Sequence, residues 1–304
     1  MRALAFTEQY FSVMNNQDTE TDADVTIATI PVGRTEAQSL GIMQINEDRR
    51  ITHFVEKPKD VVTLDSLRLS PEWQPKLGIE GGGEVFLASM GIYAFKRDMV
   101  RAILDNTLTD FGKHIIPRAI QTHRVCSYVF QGYWKDIGTI RSFFEANLDL
   151  VSELPRFNFF DMSAPIFSRP RFLPGSKING AHIDHALVAD GCIINPSKIT
   201  NSIIGLRTIV GAGTQLNRVV ALGCDYYEMQ ESIFEHEHAG KPRIGIGAGC
   251  RIENAIIDKN ARVGDNVVIS PAGKPENLDH PLYYIRDGVV IIPKNGMVPH
   301  GMVI

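Results

Sequence analysis

The chain has 304 residues, 44% of them apolar, and at the usual size of about 100–200 residues per domain this predicts two domains with separate cores. Lysine and arginine number 31 against 35 aspartate and glutamate, a net charge of −4 that excludes broad attraction to nucleic acid or an anionic membrane. Any anion site must therefore be local. No apolar run approaches the roughly 20 residues of a membrane-spanning helix, and the start lacks the apolar stretch of a secretory signal.

Residues up to about 150 alternate between strand and helix patterns. "ADVTIATIPV" and "LASMGIYAF" are typical of strands, and "GIMQINEDRRITHFVEKP" predicts a hairpin about a polar turn. "KRDMVRAILDN" and "TIRSFFEANLDLVSEL" have helical spacing, the second behind Thr139 as a candidate cap. These patterns together predict an α/β domain, a sheet with covering helices.

A proline-rich connector, "LPRFNFFDMSAPIFSRPRFLP", follows this part of the chain. Its prolines favour irregular, extended chain over helix. We therefore predict a domain over residues 1–152, a linker over 153–176 and a second domain over 177–304.

The second domain carries an internal repeat of aliphatic residues spaced five or six positions apart. The first three anchors recur 16 positions later, and the pattern returns further on with Gly, Asn and Asp between the anchors. This spacing indicates hexapeptide-type coils of a β-helix, whereas a β-sandwich, the alternative, usually spaces its strands about 8–12 residues apart. The anchors are Ile183, Val188 and Ile193, then Ile199, Ile204 and Ile209, and later Ile246, Ile252, Ile257, Val263 and Ile269.

Cysteine and histidine spacing gives no strong metal or disulfide motif. Glu235-His236-Glu237-His238 could ligate a metal, but a Glu/His-rich stretch before Ala-Gly is more typical of a solvated loop, here "GCDYYEMQESIFEHEHAGKPR" ejected from the coils. The cysteines are too far apart for CxxC and too few for a disulfide framework, which predicts reduced, mostly buried thiols at Cys126, Cys192, Cys224 and Cys250.

Four stretches in order, "FVEKPKD", "LASMGIYAFKRD", "TDFGKHIIP" and "YWKDIGTIRSFFEANLDL", precede "APIFSRPRFLP" and the β-helix repeats. In this order and spacing the chain resembles the glucose-1-phosphate adenylyltransferase (ADP-glucose pyrophosphorylase) family. The resemblance implies an incomplete α/β nucleotidyltransferase domain with a Rossmann-like mixed sheet, followed by a left-handed β-helix. It also implies transfer of AMP from ATP to glucose 1-phosphate, with Mg²⁺, giving ADP-glucose and pyrophosphate.

The family's sugar phosphate residues match positions in the first two stretches. Lys57 corresponds to the lysine that holds the phosphate, Glu56 to the acid that binds sugar hydroxyls, and Ser89 to the serine that contacts the sugar. Gly91 is expected to let the chain pass close to the ligand. Taken in isolation, "EKPK" is an ordinary solvated turn, and Lys59 is interpreted as a surface lysine.

Asp136 matches the family aspartate that binds the metal and contacts the sugar, although a carboxylate here could instead cap the following helix. Lys135 departs from the family pattern, which usually has an acid at this position. Asp110 is interpreted as a turn or helix cap and is given no catalytic role.

The resemblance also implies a Gly-rich triphosphate loop of the form GGxGTRLxPLT, which these 304 residues do not contain. Gly81 to Gly83 have no following arginine or helix start and read as an ordinary loop. We therefore expect an N-terminally truncated catalytic domain that is a poor or inactive catalyst alone.

Members of the family are controlled by anionic metabolites that bind basic residues. A solvated basic rim is the alternative interpretation of the matching residues, which are Arg169, Arg171, Lys259, Arg262 and Lys294.

The resemblance further implies a homotetramer or a complex with a full-length subunit, in the cytoplasm or, in a photosynthetic eukaryote, the plastid stroma. Two other functions stay open. The chain could be a non-catalytic regulatory or assembly subunit, consistent with the missing loop and Lys135. It could also be a hexapeptide-repeat acyltransferase, with His182 and His185 as the candidate histidines.

Overall fold

The computed structural model describes residues 22–80, 82–105, 107–157, 159, 162 and 166–304. They form two compact units, one mainly from residues up to 134 and the other mainly from residue 135 onward. None of the helices in these ranges combines the length and apolar character that crossing a bilayer requires. The domain boundaries at residues 152 and 176 stay a prediction, and Gly81 lies outside the described residues.

The first unit is built on a five-stranded mixed sheet with the order β3-β2-β4-β1-β5. Strands β1 and β5 are parallel and the other pairs are antiparallel, which confirms both the mixed sheet and the β2–β3 hairpin. The strands are β1 Val25–Val32, β2 Gly41–Ile45, β3 Ile51–Glu56, β4 Phe86–Phe95 and β5 Val125–Val129. The helices are α1 Arg34–Ala37, α2 Val61–Ser66, α3 Arg97–Leu104 and α4 Ile116–Thr122, with a 3₁₀ turn at Pro75–Leu77 and a π turn at Phe111–Ile115.

Helices α3 and α4 cover one face of this sheet with apolar side chains. Ile103 and Ile116 are buried in one cluster with Val25, Ile27 and Met43 of the strands. Val25 and Ile27, alternate β-branched residues of β1, therefore lie in the core, as the sequence pattern predicts.

The second unit is a parallel β-helix. Strands in successive coils pair in parallel, with Ile183 beside Ile199 and Val188 beside Ile204, so the 16-residue repeat is confirmed. Its strands are β6 Lys177–Ile178, β7 His182–Val188, β8 Ile193–Ile194, β9 Lys198–Ile204, β10 Ile209–Val210, β11 Gln215–Ala221, β12 Gly245–Ile246, β13 Arg251–Ile257, β14 Arg262–Val263, β15 Val268–Ile269, β16 Leu278–Asp279, β17 Tyr284–Arg286, β18 Val289–Ile292 and β19 Met297–Val298.

The coil corners use left-handed backbone conformations. Asn201 and Asn254 have φ values of 47° and 48° at corresponding corners. Asparagine tolerates this region better than most residues with a side chain, because its short amide can bond locally. The asparagines and glycines between the aliphatic anchors therefore turn the chain, as the sequence predicts.

Helix α5, Ile140–Asp149, belongs to the second unit. Thr139 is its N-cap and accepts a hydrogen bond from the amide of Ser142, which confirms the predicted cap. The sequence pattern placed this helix among those covering the sheet. Instead, Phe144 and Leu148 pack against Val220 and other β-helix residues.

The segment after Cys224 leaves the coils, as expected, but it is not only a loop. Gln230–His238 form helix α6, where the rings of Phe234 and His238 are 4.1 Å apart. The prediction of a loop at Glu235 to His238 was therefore wrong, because Gln230–His238 contain neither Gly nor Pro and the rings of Phe234 and His238 meet one helical turn apart. All four cysteines are buried and none forms a disulfide, as predicted.

Candidate functional site

The predicted sugar phosphate residues of the first unit meet in one row across the sheet. Glu56 pairs with Gly41, and Ser89 pairs with Thr29. Because Ile42 pairs with Ala88, the next step of the antiparallel register brings Gly41 beside Ser89. Residues in register across a sheet point to the same face, so Glu56 and Ser89 share a face with only a glycine between them.

Lys57 follows directly at the end of β3. Its side chain is exposed, and within the described part of the chain its ammonium has no hydrogen-bond or ion-pair partner. Its φ of 51° lies in the left-handed region, and its amide donates to the carbonyl of Leu40 at 3.0 Å. A non-glycine residue held in this region is uncommon and is enriched at binding sites. The geometry thus presents a free cation at a fixed point of the sheet edge.

Ser89 lies beside an irregularity in β4. The register between β1 and β4 shifts between Ile27 and Thr29, opposite Gly91, whose φ is 72°. The amide of Gly91 donates to Ser89 Oγ at 3.2 Å. Only a glycine adopts this conformation without strain, so Gly91 forms a bulge next to Ser89.

The π turn at residues 111–115 lies against the end of β3. The Asp110 carboxylate accepts a hydrogen bond from the amide of Lys113 at 2.9 Å, which lowers the pKa of Asp110 below its ordinary value. The prediction of a cap at Asp110 is therefore confirmed. A Cβ built on Gly112, in this turn, would lie 2.7 Å from Glu56 Oε2, so the carboxylate occupies the place of a side chain there.

Asp136 belongs to the second unit, four residues before the first residue of helix α5. Its Oδ1 accepts from the amide of Gly138 at 3.2 Å, while Thr139 caps the helix. The alternative that Asp136 caps this helix is therefore wrong, and its role as a metal ligand stays a prediction. Among the residues the structure describes, no three His, Cys, Asp or Glu side chains converge as metal ligands.

Two of the predicted effector residues are neighbours in successive coils. Ile257 pairs with Ile292, and the amide of Asn295 donates to the carbonyl of Lys259 at 2.9 Å, so Lys259 lies beside Lys294. Asp225 joins them.

The Lys259 ammonium is 2.8 Å from an Asp225 oxygen, and the Asn260 amide is 3.1 Å from the other. These two contacts, with Lys259 the stronger, lower the pKa of Asp225 below its ordinary value. An anion at this site would therefore share the cations with Asp225.

Arg262 is engaged in a different contact. Its guanidinium is 2.6 Å from a carboxylate oxygen of Glu228, which is only 4% exposed, and it also donates to the carbonyl of Pro242. Glu228 in turn accepts from the amide of Ile244 and lies 3.0 Å from the His236 ring. Arg262 therefore ties the segment 225–244 to the coils, and the structure does not bring it to Asp225.

Arg169 and Arg171 are exposed in a stretch without helix or strand. Arg171 donates to the backbone carbonyl of Arg169, a local contact. The role of all five cations in effector binding stays a prediction.

Sequence reasoning missed Gly112, Asp225 and Glu228. A glycine in "DFG" and acids in "GCDYYE" have many ordinary uses, and each is far along the chain from its partner. Packing between elements that are distant in the sequence brings them together. Of these three residues, only Asp225 could have been predicted from the sequence, because an acid at a coil corner is suited to pair with a cation in the next coil.

Comparison with known proteins gives two matches to family models and a similar relative. Residues 5–153 match a model described as Nucleotidyl transferase, and residues 171–303 match the GLGC left-handed parallel beta-helix domain. In Zea mays, glucose-1-phosphate adenylyltransferase large subunit 1, chloroplastic/amyloplastic, is 40% identical over 290 residues, which are 94% of this chain and 56% of that protein. The chain thus spans about half the length of this curated relative.

Proposed function

We propose, since the chain belongs to the glucose-1-phosphate adenylyltransferase family, that it binds glucose 1-phosphate and supports transfer of AMP to it from ATP. The products would be ADP-glucose and pyrophosphate, the precursor step of glycogen or starch synthesis. The observation that supports this best is the end of β3, where an unpaired, exposed Lys57 follows a half-buried Glu56 in register with Ser89.

Each of these side chains suits one part of the sugar phosphate. Lys57 supplies a compact positive charge for the phosphate, because an ammonium can follow a group that must approach a second phosphate. The Glu56 carboxylate accepts hydrogen bonds from neighbouring sugar hydroxyls, and Ser89 contributes a hydroxyl on the same face. Gly41, between them, has no side chain, and the Glu56 carboxylate and the Phe54 ring lie where its Cβ would be.

Asp136 fits the metal part of the same proposal. Mg²⁺ prefers hard oxygen ligands and is usually held by one or two carboxylates together with substrate phosphates. Asp136 supplies one such carboxylate, and within the described residues only its Oδ1 accepts a hydrogen bond, from the amide of Gly138. Mg²⁺ supplies charge neutralisation to the reacting phosphates when it is bound.

A second candidate function is that of a regulatory or assembly subunit. Lys135 favours it, because it puts a positive charge next to the proposed metal ligand where an acid is usual in the family. The Zea mays relative is named a large subunit, which supports assembly with other subunits, in a homotetramer or with a complete chain. Its name, chloroplastic/amyloplastic, is consistent with a plastid. Lys259 and Lys294, with Arg169 and Arg171, are proposed to bind an anionic effector.

The acyltransferase alternative has less support. His182 and His185 are both exposed on the first coil, and His185 lies 2.9 Å from Asp184. Neither family model describes an acyltransferase.

Pyrophosphate-dependent formation of ATP from ADP-glucose separates the two leading candidates. We expect the 304 residues alone to show little or no activity, and readily detected turnover would contradict this. The chain is then mixed with a complete catalytic subunit. A gain in rate that is lost in Lys57→Gln and Asp136→Asn supports catalysis by this chain, whereas a gain retained in both variants supports a regulatory role.

A further inference from the structure

The carboxylate of Glu56 rests against glycines of two separate elements. A Cβ built on Gly41, at the start of β2, would lie 2.8 Å from Glu56 Oε2, and one built on Gly112, in the π turn, would lie 2.7 Å from the same oxygen. No real Cβ tolerates such a distance, so both positions must lack a side chain while Glu56 keeps this orientation.

Gly112 has no other evident reason to be glycine. Its backbone is outside the left-handed region, and the atom nearest its Cβ position after those of Glu56 is Asp110 Oδ1 at 3.6 Å, an ordinary contact distance. Gly41 differs, because a Cβ there would also strike the Phe54 ring at 2.5 Å. A side chain at Gly112 would therefore displace the Glu56 carboxylate and leave the surrounding packing in place.

The space beside these two glycines is what this carboxylate occupies. Within the described residues Glu56 has no hydrogen-bond or ion-pair partner, so no other polar contact there holds its orientation. A carboxylate that accepts hydroxyl hydrogen bonds must be held within about 0.5 Å of its productive position. The two glycines leave open the space that this position requires.

We infer that Gly112 is a positioning residue for the sugar phosphate site, keeping the Glu56 carboxylate where it meets the sugar hydroxyls. The inference rests on the proposed function, since it takes glucose 1-phosphate as the ligand. Gly112 itself touches no substrate in this account. It acts by leaving the space that Glu56 occupies.

The test compares Gly112→Ala with Gly83→Ala in the 304-residue chain. Gly83 also lies outside the left-handed region and has nothing within 4 Å of its Cβ position, which makes it a matched control. Binding of glucose 1-phosphate and of inorganic phosphate is followed by ³¹P NMR titration. Since one hydrogen bond to a charged group is lost, we expect Gly112→Ala to weaken glucose 1-phosphate binding about 10- to 100-fold.

Inorganic phosphate separates positioning from a structural defect. It has no sugar hydroxyls, so its binding at Lys57 should be the same in Gly112→Ala and in the unmodified chain. The thermal midpoint should be unchanged or higher, because alanine is favoured over glycine in helical backbone. In a Glu56→Ala background, Gly112→Ala should have no further effect on glucose 1-phosphate binding.

Three results would overturn the inference: unchanged glucose 1-phosphate binding in Gly112→Ala, equal weakening of both ligands, or the full effect persisting in Glu56→Ala. If neither the unmodified chain nor Gly83→Ala binds glucose 1-phosphate, the proposed function fails and this inference fails with it. That outcome is distinct, because the loss is then common to every variant.

Discussion

Replacing Arg262 by alanine tests whether this residue is a structural anchor of the segment 225–244. The guanidinium lies 2.6 Å from Glu228, whose side chain is 4% exposed, while the pair itself joins β14 to a segment outside the coils. Burial opposes ionisation of Glu228, but the amide of Ile244 and the guanidinium of Arg262 outweigh it and lower the pKa of Glu228 below its ordinary 4.5. The variant would leave that carboxylate buried without its cation.

The expected cost follows from this geometry. Removing one partner of a buried ion pair costs about 3–5 kcal/mol, and the remaining contacts of Glu228 with Ile244 and His236 reduce this to about 2–3 kcal/mol. This corresponds to about 30- to 150-fold faster local opening. Because the folded pKa of Glu228 is lowered, the stabilisation is present above pH 4.5 and is lost as the pH falls further.

Hydrogen exchange of the Ile244 amide measures this opening directly, because that amide donates to Glu228 at 2.8 Å. Lys259→Ala is the control, since its pair with Asp225 has both side chains 43% exposed and contributes at most about 1 kcal/mol. Equal exchange rates in the Arg262 and Lys259 variants would refute the reasoning. So would a wild-type protection that does not change as the pH falls below 4.5.

Three further predictions concern the β-helix. Ile204→Ala should lower the free energy of unfolding by about 2–5 kcal/mol, measured by denaturant titration, because Ile204 is fully buried, whereas Ile178→Ala, at a site 51% exposed, should cost much less. Burial raises the pKa of Cys224 to about 11, so its reaction with a disulfide reagent at pH 8 should be slow in the folded chain and fast after unfolding; equal rates would contradict its burial. Lys259→Glu should abolish binding of a sugar bisphosphate in calorimetry, and unchanged binding would refute the effector assignment of Lys259 and its neighbour Lys294.

The β-helix register was predictable to the residue because each coil places one aliphatic side chain at each inward position. Ile183 and Ile199, 16 positions apart, consequently pair as the spacing requires. The location of Glu56 and Lys57 at a strand end was also predictable, since the hairpin pattern ends at Pro58.

Contacts between distant elements could not be predicted in the same way. Gly112 meets Glu56, and Arg262 meets Glu228, through packing that no local pattern encodes. Helix α6 was missed for a related reason. Its mixed charges resemble a solvated loop, and the contact between the Phe234 and His238 rings becomes visible only in three dimensions.

Glucose 1-phosphate binding to Lys57→Gln and Lys59→Gln tests the central claim most directly. Both lysines are exposed and lie two positions apart, but only Lys57 follows Glu56 in the left-handed conformation. In a ³¹P NMR titration we expect saturable binding by the unmodified chain and by Lys59→Gln, and at least about tenfold weaker binding by Lys57→Gln. Absence of binding to the unmodified chain, or equal affinity in the two variants, would contradict the account.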